Sequence, residues 1–240
     1  MNWIYGFFMA WGMFLAIPCP VRIWKEEARD KQLACFGLIG LIVGGLWILL
    51  DMLSAKLPLP LRAVCMAALP WLASGFIHLD GFMDVCDAVL SRRDMEIRQK
   101  ILKDSHCGAF AVICLGLLLL TQWSAFQSVQ TVSRLALLCI PVSSRACGAM
   151  AVMLLAPMES SQYVKMKKSA CVILPCALLV LSAALPVLLA GSFAALACAG
   201  VYWLCCLYGV RQLGGMSGDV SGFSLTLAEL AGILILVLVG

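Results

Sequence analysis

The stretch Ala63–Asp87, AVCMAALPWLASGFIHLDGFMDVCD, runs from a long apolar segment straight into three aspartates, Asp80, Asp84 and Asp87. An apolar helix ending in a compact charged patch is the pattern of a membrane span meeting its aqueous edge. The rest of the chain repeats the first half of that pattern. Of 240 residues, 63% are hydrophobic and 12% charged, whereas soluble domains run near half apolar and a quarter charged. Apolar runs recur at 3–18, 33–50, 61–77, 108–123, 135–156, 170–190, 193–210 and 226–239, each close to the roughly 20 residues that cross a bilayer as a helix. The fold expected is therefore all-α: a polytopic integral-membrane helical bundle of about 7–8 transmembrane helices, forming a single domain over 1–240. The run at 3–18 lacks the basic start and small-residue cleavage site of a signal peptide, so it is expected to stay in the protein.

Basic residues orient the bundle. Segments 19–32, 78–107, 157–169 and 211–225 carry thirteen of the seventeen Lys and Arg, and the alternate connections hold only Lys56, Arg62 and Arg134. Cytoplasmic loops carry the Lys and Arg excess, so eight spans would put both termini outside and the acid-rich stretch on the cytoplasmic side. The same bias accounts for the net charge of +4, which therefore does not indicate a nucleic-acid partner. The thirteen cysteines include no C-x-x-C pair, and most fall in apolar runs, where a thiol is a small apolar filler.

On a helix, Asp80, Asp84 and Asp87 stand at i, i+4 and i+7 and share one face. Like charges at that spacing repel, so a positive partner is required. One candidate is the basic run Arg92, Arg93, Arg98, Lys100 and Lys103, pairing as a solvated network. The other is a hard divalent cation such as Mg²⁺ or Mn²⁺, suited to oxygen-only ligands, with arginines taking the free oxygens of a phosphate. A second polar island, KDSHCG at 103–108, offers Asp104, by default a cap for the next helix. A third, GGMSGD at 214–219, offers Asp219 among glycines that allow close approach to a phosphate. Arg145 stands alone among the charges, near the middle of an apolar run, where charge is costly and usually faces an interior or a wet cavity. His78 falls on the face opposite the aspartates, and His106 reads as a solvated loop residue.

These segments together resemble the cobalamin synthases, the adenosylcobinamide-GDP ribazoletransferase family. GFIHLDGFMDVCDAVLSRR is similar to its H-x-D-G-x-x-D-x-x-D signature, and ILKDSHCGAF to its M-K-D-S-x-x-G-x-F. MFLAIPCP, GLIGLIVGGLW, SSRACGAM and QLGGMSGDVSG match further family elements in order. Departures are Ala88, Ala111 and Ser217, where the family favours Gly, Gly and Thr. The resemblance implies a transferase of a bacterial or archaeal cytoplasmic (inner) membrane, active on its cytoplasmic side. It implies the small-molecule substrates adenosylcobinamide-GDP and α-ribazole, or the 5′-phosphate of α-ribazole, with Mg²⁺ as cofactor and GMP released. By resemblance, Asp80, Asp84 and Asp87 are expected to hold metal, Asp104 to complete the shell or act as base, and Asp219 to be the second choice for either. Arg92, Arg93 and Arg145 are the candidates for phosphate contact. Two rivals are a lipid CDP-alcohol phosphotransferase, whose second half-motif is missing here, and a cation or small-solute transporter, which would favour acids buried within spans.

Overall fold

The computed structural model describes residues 2–129, 133–161, 163–164 and 170–239. Eleven α-helices are found among them: α1 Asn2–Phe14, α2 Arg29–Ala34, α3 Phe36–Leu53, α4 Leu59–Ala73, α5 Ile77–Leu90, α6 Met95–Ile101, α7 Ala109–Ser128, α8 Arg134–Leu154, α9 Ile173–Ala190, α10 Ala194–Leu213 and α11 Gly218–Val239. The all-α membrane bundle is what the composition calls for. Six helices (α3, α7, α8, α9, α10 and α11) are long and apolar enough to cross a bilayer. The bent pair α4 and α5 brings the number up to seven.

Three expectations shift. The run at 3–18 forms a helix of only 13 residues, about 20 Å at 1.5 Å per residue, short of the hydrocarbon thickness. The run at 61–77 ends early, because the chain turns by 91° between α4 and α5. Gly75 (φ 61°) and Phe76 (φ 63°) take left-handed conformations at that corner. The run at 226–239 is longer than expected: α11 begins at Gly218, so the third polar island is the entrance to a span.

α8 is the axis of the bundle, with most of its residues buried. It packs along α3, α9, α10 and α11, and α10 and α11 form the other extensive pair. The N-termini of α7 and α11 share one end of the bundle with the α4–α5 corner. There the backbone of Met158, just after α8, donates to Met216 O (3.0 Å), and Met216 N donates to Ala156 O (2.8 Å), tying the exit of α8 to the α10–α11 turn. Ala16 N donates to Ala73 O (2.8 Å), which brings the end of α1 onto the corner.

Candidate active site

The corner decides where the aspartates go. Turned by 91°, α5 lies across the first turns of α11 rather than continuing away from the bundle. The crossing is built from missing side chains. A Cβ on Gly81 would stand 2.8 Å from Asp219 Cα, and one on Gly222 would stand 2.8 Å from the His78 carbonyl oxygen. Small residues of this kind allow two helix backbones to approach closely. Thr226 Oγ1 donates to the same His78 carbonyl (3.3 Å), and Phe82 stacks on Phe223 with centroids 6.0 Å apart. Asp80 and Asp84, flanking Gly81, are thereby carried against Asp219. These three residues therefore form one acidic face, with Asp87 one turn further along α5.

Asp219 sits in the first turn of α11, where the helix dipole favours an anion. Ser217 prepares that turn: its Oγ accepts from Val220 N (3.2 Å), the bond of an N-cap, and donates to Asp219 Oδ2 (3.3 Å). Asp80 is exposed, while Asp84 and Asp219 are half-buried. Among the described residues no Lys, Arg or His lies within ion-pair distance of any of them.

Asp87 has a different occupation. Its Oδ2 accepts from Gly108 N (2.5 Å) and its Oδ1 from Ala111 N (3.1 Å), so it caps the N-terminus of α7 from across the site. Neither Asp104 nor Ser105 caps that helix, contrary to the default reading of the KDSHCG island. The cap leaves no room for a side chain at Gly108, where a Cβ would fall 2.5 Å from both Asp87 oxygens. Ala111, one of the departures from the family pattern, contributes only its backbone N–H here.

The other expected residues are not gathered into this cluster. Asp104 is exposed and bonded to His106, through the backbone N–H (3.0 Å) and the ring Nδ1 (2.7 Å). Those bonds, the backbone one foremost, hold its carboxyl below the ordinary range. Arg92 and Arg93 are exposed just past α5, Arg92 with φ 53°, and Arg98 reaches the side chain of Gln212 instead of a carboxylate. The basic run therefore does not form the solvated network that was one way of neutralising the trio.

Arg145 is fully buried and bonded to Glu229 Oε1 at 2.5 Å, with Ser144 Oγ donating to the same oxygen (2.8 Å). Its Nη1 is held in this interior pair, while its Nε and Nη2 are buried without a hydrogen-bond partner among the described residues. Sequence reasoning missed Glu229, hidden in the apolar run 226–239. The signal was available: a lone acid in one span and a lone base in another each require a partner, and each is the other's.

The donor set of Asp80, Asp84 and Asp219, with the remaining lone pairs of Asp87, is all oxygen and carries an uncompensated negative charge. Among the described residues no three His, Cys, Asp or Glu side chains are grouped so that they could hold a metal ion by themselves. Such an open arrangement fits a hard cation that keeps several waters and takes one or two carboxylates plus substrate phosphate, as Mg²⁺ does.

Residues 6–237 match the family model described as cobalamin-5-phosphate synthase. The chain is 36% identical to the adenosylcobinamide-GDP ribazoletransferase of Clostridium perfringens over 95% of each chain. It is 35% identical to that of Clostridium botulinum, over 97% of this chain and 96% of the relative. With that of Lachnoclostridium phytofermentans it shares 30% identity, over 100% of this chain and 96% of the relative. No solved structure matches.

Proposed function

The chain belongs to the cobalamin-5-phosphate synthase family and is a transferase of cobalamin biosynthesis, and from that premise we propose that it joins adenosylcobinamide-GDP to α-ribazole, or to the 5′-phosphate of α-ribazole, at the carboxylates gathered by α5 and α11. A ribose hydroxyl oxygen of the ribazole attacks the phosphorus bonded to cobinamide, the bond between that phosphorus and the bridging oxygen breaks, and GMP departs with the bridging electron pair. In the phosphorylated nucleoside the 5′ oxygen already carries its phosphate, so the attacking hydroxyl is another one on the ribose, and the product is cobalamin 5′-phosphate.

The observation that carries the reading is the unpaired acidic face itself. Asp80, Asp84 and Asp219, gathered without a basic partner among the described residues, are unfavourable in the protein alone and become favourable once a metal–diphosphate complex arrives. Mg²⁺ would be held by Asp80 and Asp84, with Asp219 and Asp87 beside them, and when bound it neutralises charge developing on the leaving diphosphate oxygen. Asp219 is assigned to the proton of the attacking hydroxyl ahead of Asp104, because its backbone packs against Gly81, between Asp80 and Asp84, while Asp104 is turned to His106. Asp87 positions the site by anchoring α7. Arg92 and Arg93, exposed at the end of α5, remain the side chains proposed to meet the outer phosphate oxygens. The excess of Lys and Arg on the loops at this end supports a cytoplasmic active site.

Purified protein in detergent or in vesicles, given both substrates and Mg²⁺, should release GMP and a cobalamin product in equal amounts. Hydrolysis of the diphosphate to GMP with no dependence on the nucleoside would contradict transfer.

A further inference from the structure

Beside the carboxylates lies a cavity of about 160 Å³ at the meeting of α1, α3, α5, α8 and α11, bordered by Phe14, Phe36, His78, Asp80, Gly148 and Asp219 among others. Its aromatic wall is continuous. Phe14 and Phe36 have centroids 4.3 Å apart, and the His78 ring lies 6.2 Å from Phe14, nearly parallel at 22°, and 5.7 Å from Phe36. Met13, Leu33, Ile77 and Val152 add apolar lining, and Tyr163 and Ser221, the latter's hydroxyl bonded to that of Tyr202 (3.0 Å), lie on the same cavity. Within it, His78 is only 7% exposed, and its Nε2 is buried without a hydrogen-bond partner. A buried polar atom left unpaired costs about 1–3 kcal/mol, so its persistence beside a cavity points to a partner that enters the cavity.

Resting on the function proposed above, we propose that this cavity receives the base of the ribazole nucleoside, with His78 Nε2 bonded to its unsubstituted ring nitrogen. The lining chooses between the two flat bases of the reaction. Guanine carries several donors and acceptors around its edge, and the rings of Phe14 and Phe36 that flank His78 offer them no partner. A benzimidazole glycosylated at one nitrogen has one free acceptor nitrogen and otherwise apolar edges. It therefore matches the aromatic wall of Phe14, Phe36 and His78, where the atom in want of a partner is His78 Nε2. In its neutral form the imidazole can present an N–H at Nε2 to that acceptor. Asp80 and Asp219, also in the lining, then stand where the ribose side of the nucleoside leaves the cavity, which brings a ribose hydroxyl toward the carboxylates. The guanine of the departing GMP has to be bound elsewhere.

The test combines binding with turnover. Equilibrium dialysis of labelled α-ribazole against the purified intact protein, without the diphosphate substrate, is compared for wild type, His78→Leu and His78→Gln. An analogue in which the free ring nitrogen is replaced by CH is run in parallel. The expected result is a roughly tenfold to hundredfold weaker Kd for His78→Leu, partial recovery in His78→Gln, and a comparable loss for wild type with the analogue. His78→Leu should no longer distinguish analogue from α-ribazole, and its KM for adenosylcobinamide-GDP should match that of wild type. Unchanged α-ribazole affinity in both variants overturns the assignment, as does an equal rise in KM for both substrates. Wild type that binds α-ribazole but releases no GMP would sink the proposed reaction while leaving the cavity's ligand standing.

Discussion

Two acids on the same helix meet opposite fates. Asp219 in the first turn of α11 and Glu229, ten residues or about 15 Å further along, are both carried by a membrane-spanning segment. Glu229 is closed off, bonded to Arg145 and Ser144 in the packed interior of the bundle. Asp219 faces Asp80 and Asp84 at the end of the bundle, with no basic partner among the described residues. A neutralised buried charge belongs to the fold, whereas a set of like charges left open at a cavity's rim belongs to whatever binds there. At the far end of the bundle the first pattern recurs, with Asp51 paired to Arg62 (2.5 Å) and to Arg134 (3.4 Å), which ties together the ends of α3, α4 and α8.

Perturbing each region should separate the two kinds of charge. The largest effect expected is structural. Glu229→Ala leaves Arg145 buried without its counter-charge, at a cost of about 3–5 kcal/mol, seen as a large fall in thermal unfolding temperature or loss of folded protein from the membrane. A Glu229→Leu, Arg145→Met double variant should recover most of that loss, which would identify the pair as structural. Next comes Asp84→Asn, with a loss of turnover of about a hundredfold or more. Its unfolding temperature should be equal to or slightly above wild type, since a repulsion at i, i+4 has been removed. A smaller loss is expected from Gly81→Ala, whose Cβ would press on the Asp219 backbone 2.8 Å away. Overpacking of this sort costs about 1–3 kcal/mol, and parting α5 from α11 should lower stability and turnover together. Asp51→Asn should be the mildest: Arg134 is largely exposed and Arg62 partly so, and turnover should stay near wild type.

The sequence made the acidic helix legible because Asp80, Asp84 and Asp87 keep helical spacing, and the bundle legible because its spans are nearly pure hydrocarbon. What stayed hidden depended on partners remote along the chain. The spacing of Asp87 matches that of its neighbours, yet its carboxylate is taken by the N-terminus of α7, 21 residues on. Arg145 announced itself as an anomaly, but its resolution lay 84 residues away at Glu229, inside a run read only for its apolarity. The 91° corner was foreshadowed by Ser74-Gly75, a turn signal set within an apolar run long enough to pass as one span. The proximity of Asp219 to the trio came from a tertiary contact, the crossing of Gly81 and Gly222, which hydrophobic periodicity does not encode.

The account rests on the open carboxylates being the seat of a cation-dependent transfer, and the most direct measurement is GMP release against Mg²⁺ concentration in wild type and in folded, membrane-inserted Asp84→Asn. The prediction is that wild-type release vanishes under chelation and returns with Mg²⁺, while the variant stays at least a hundredfold slower and needs more Mg²⁺ to reach half its own maximum. Equal Mg²⁺ midpoints with near wild-type turnover in the variant, or full wild-type release without any divalent cation, would contradict it.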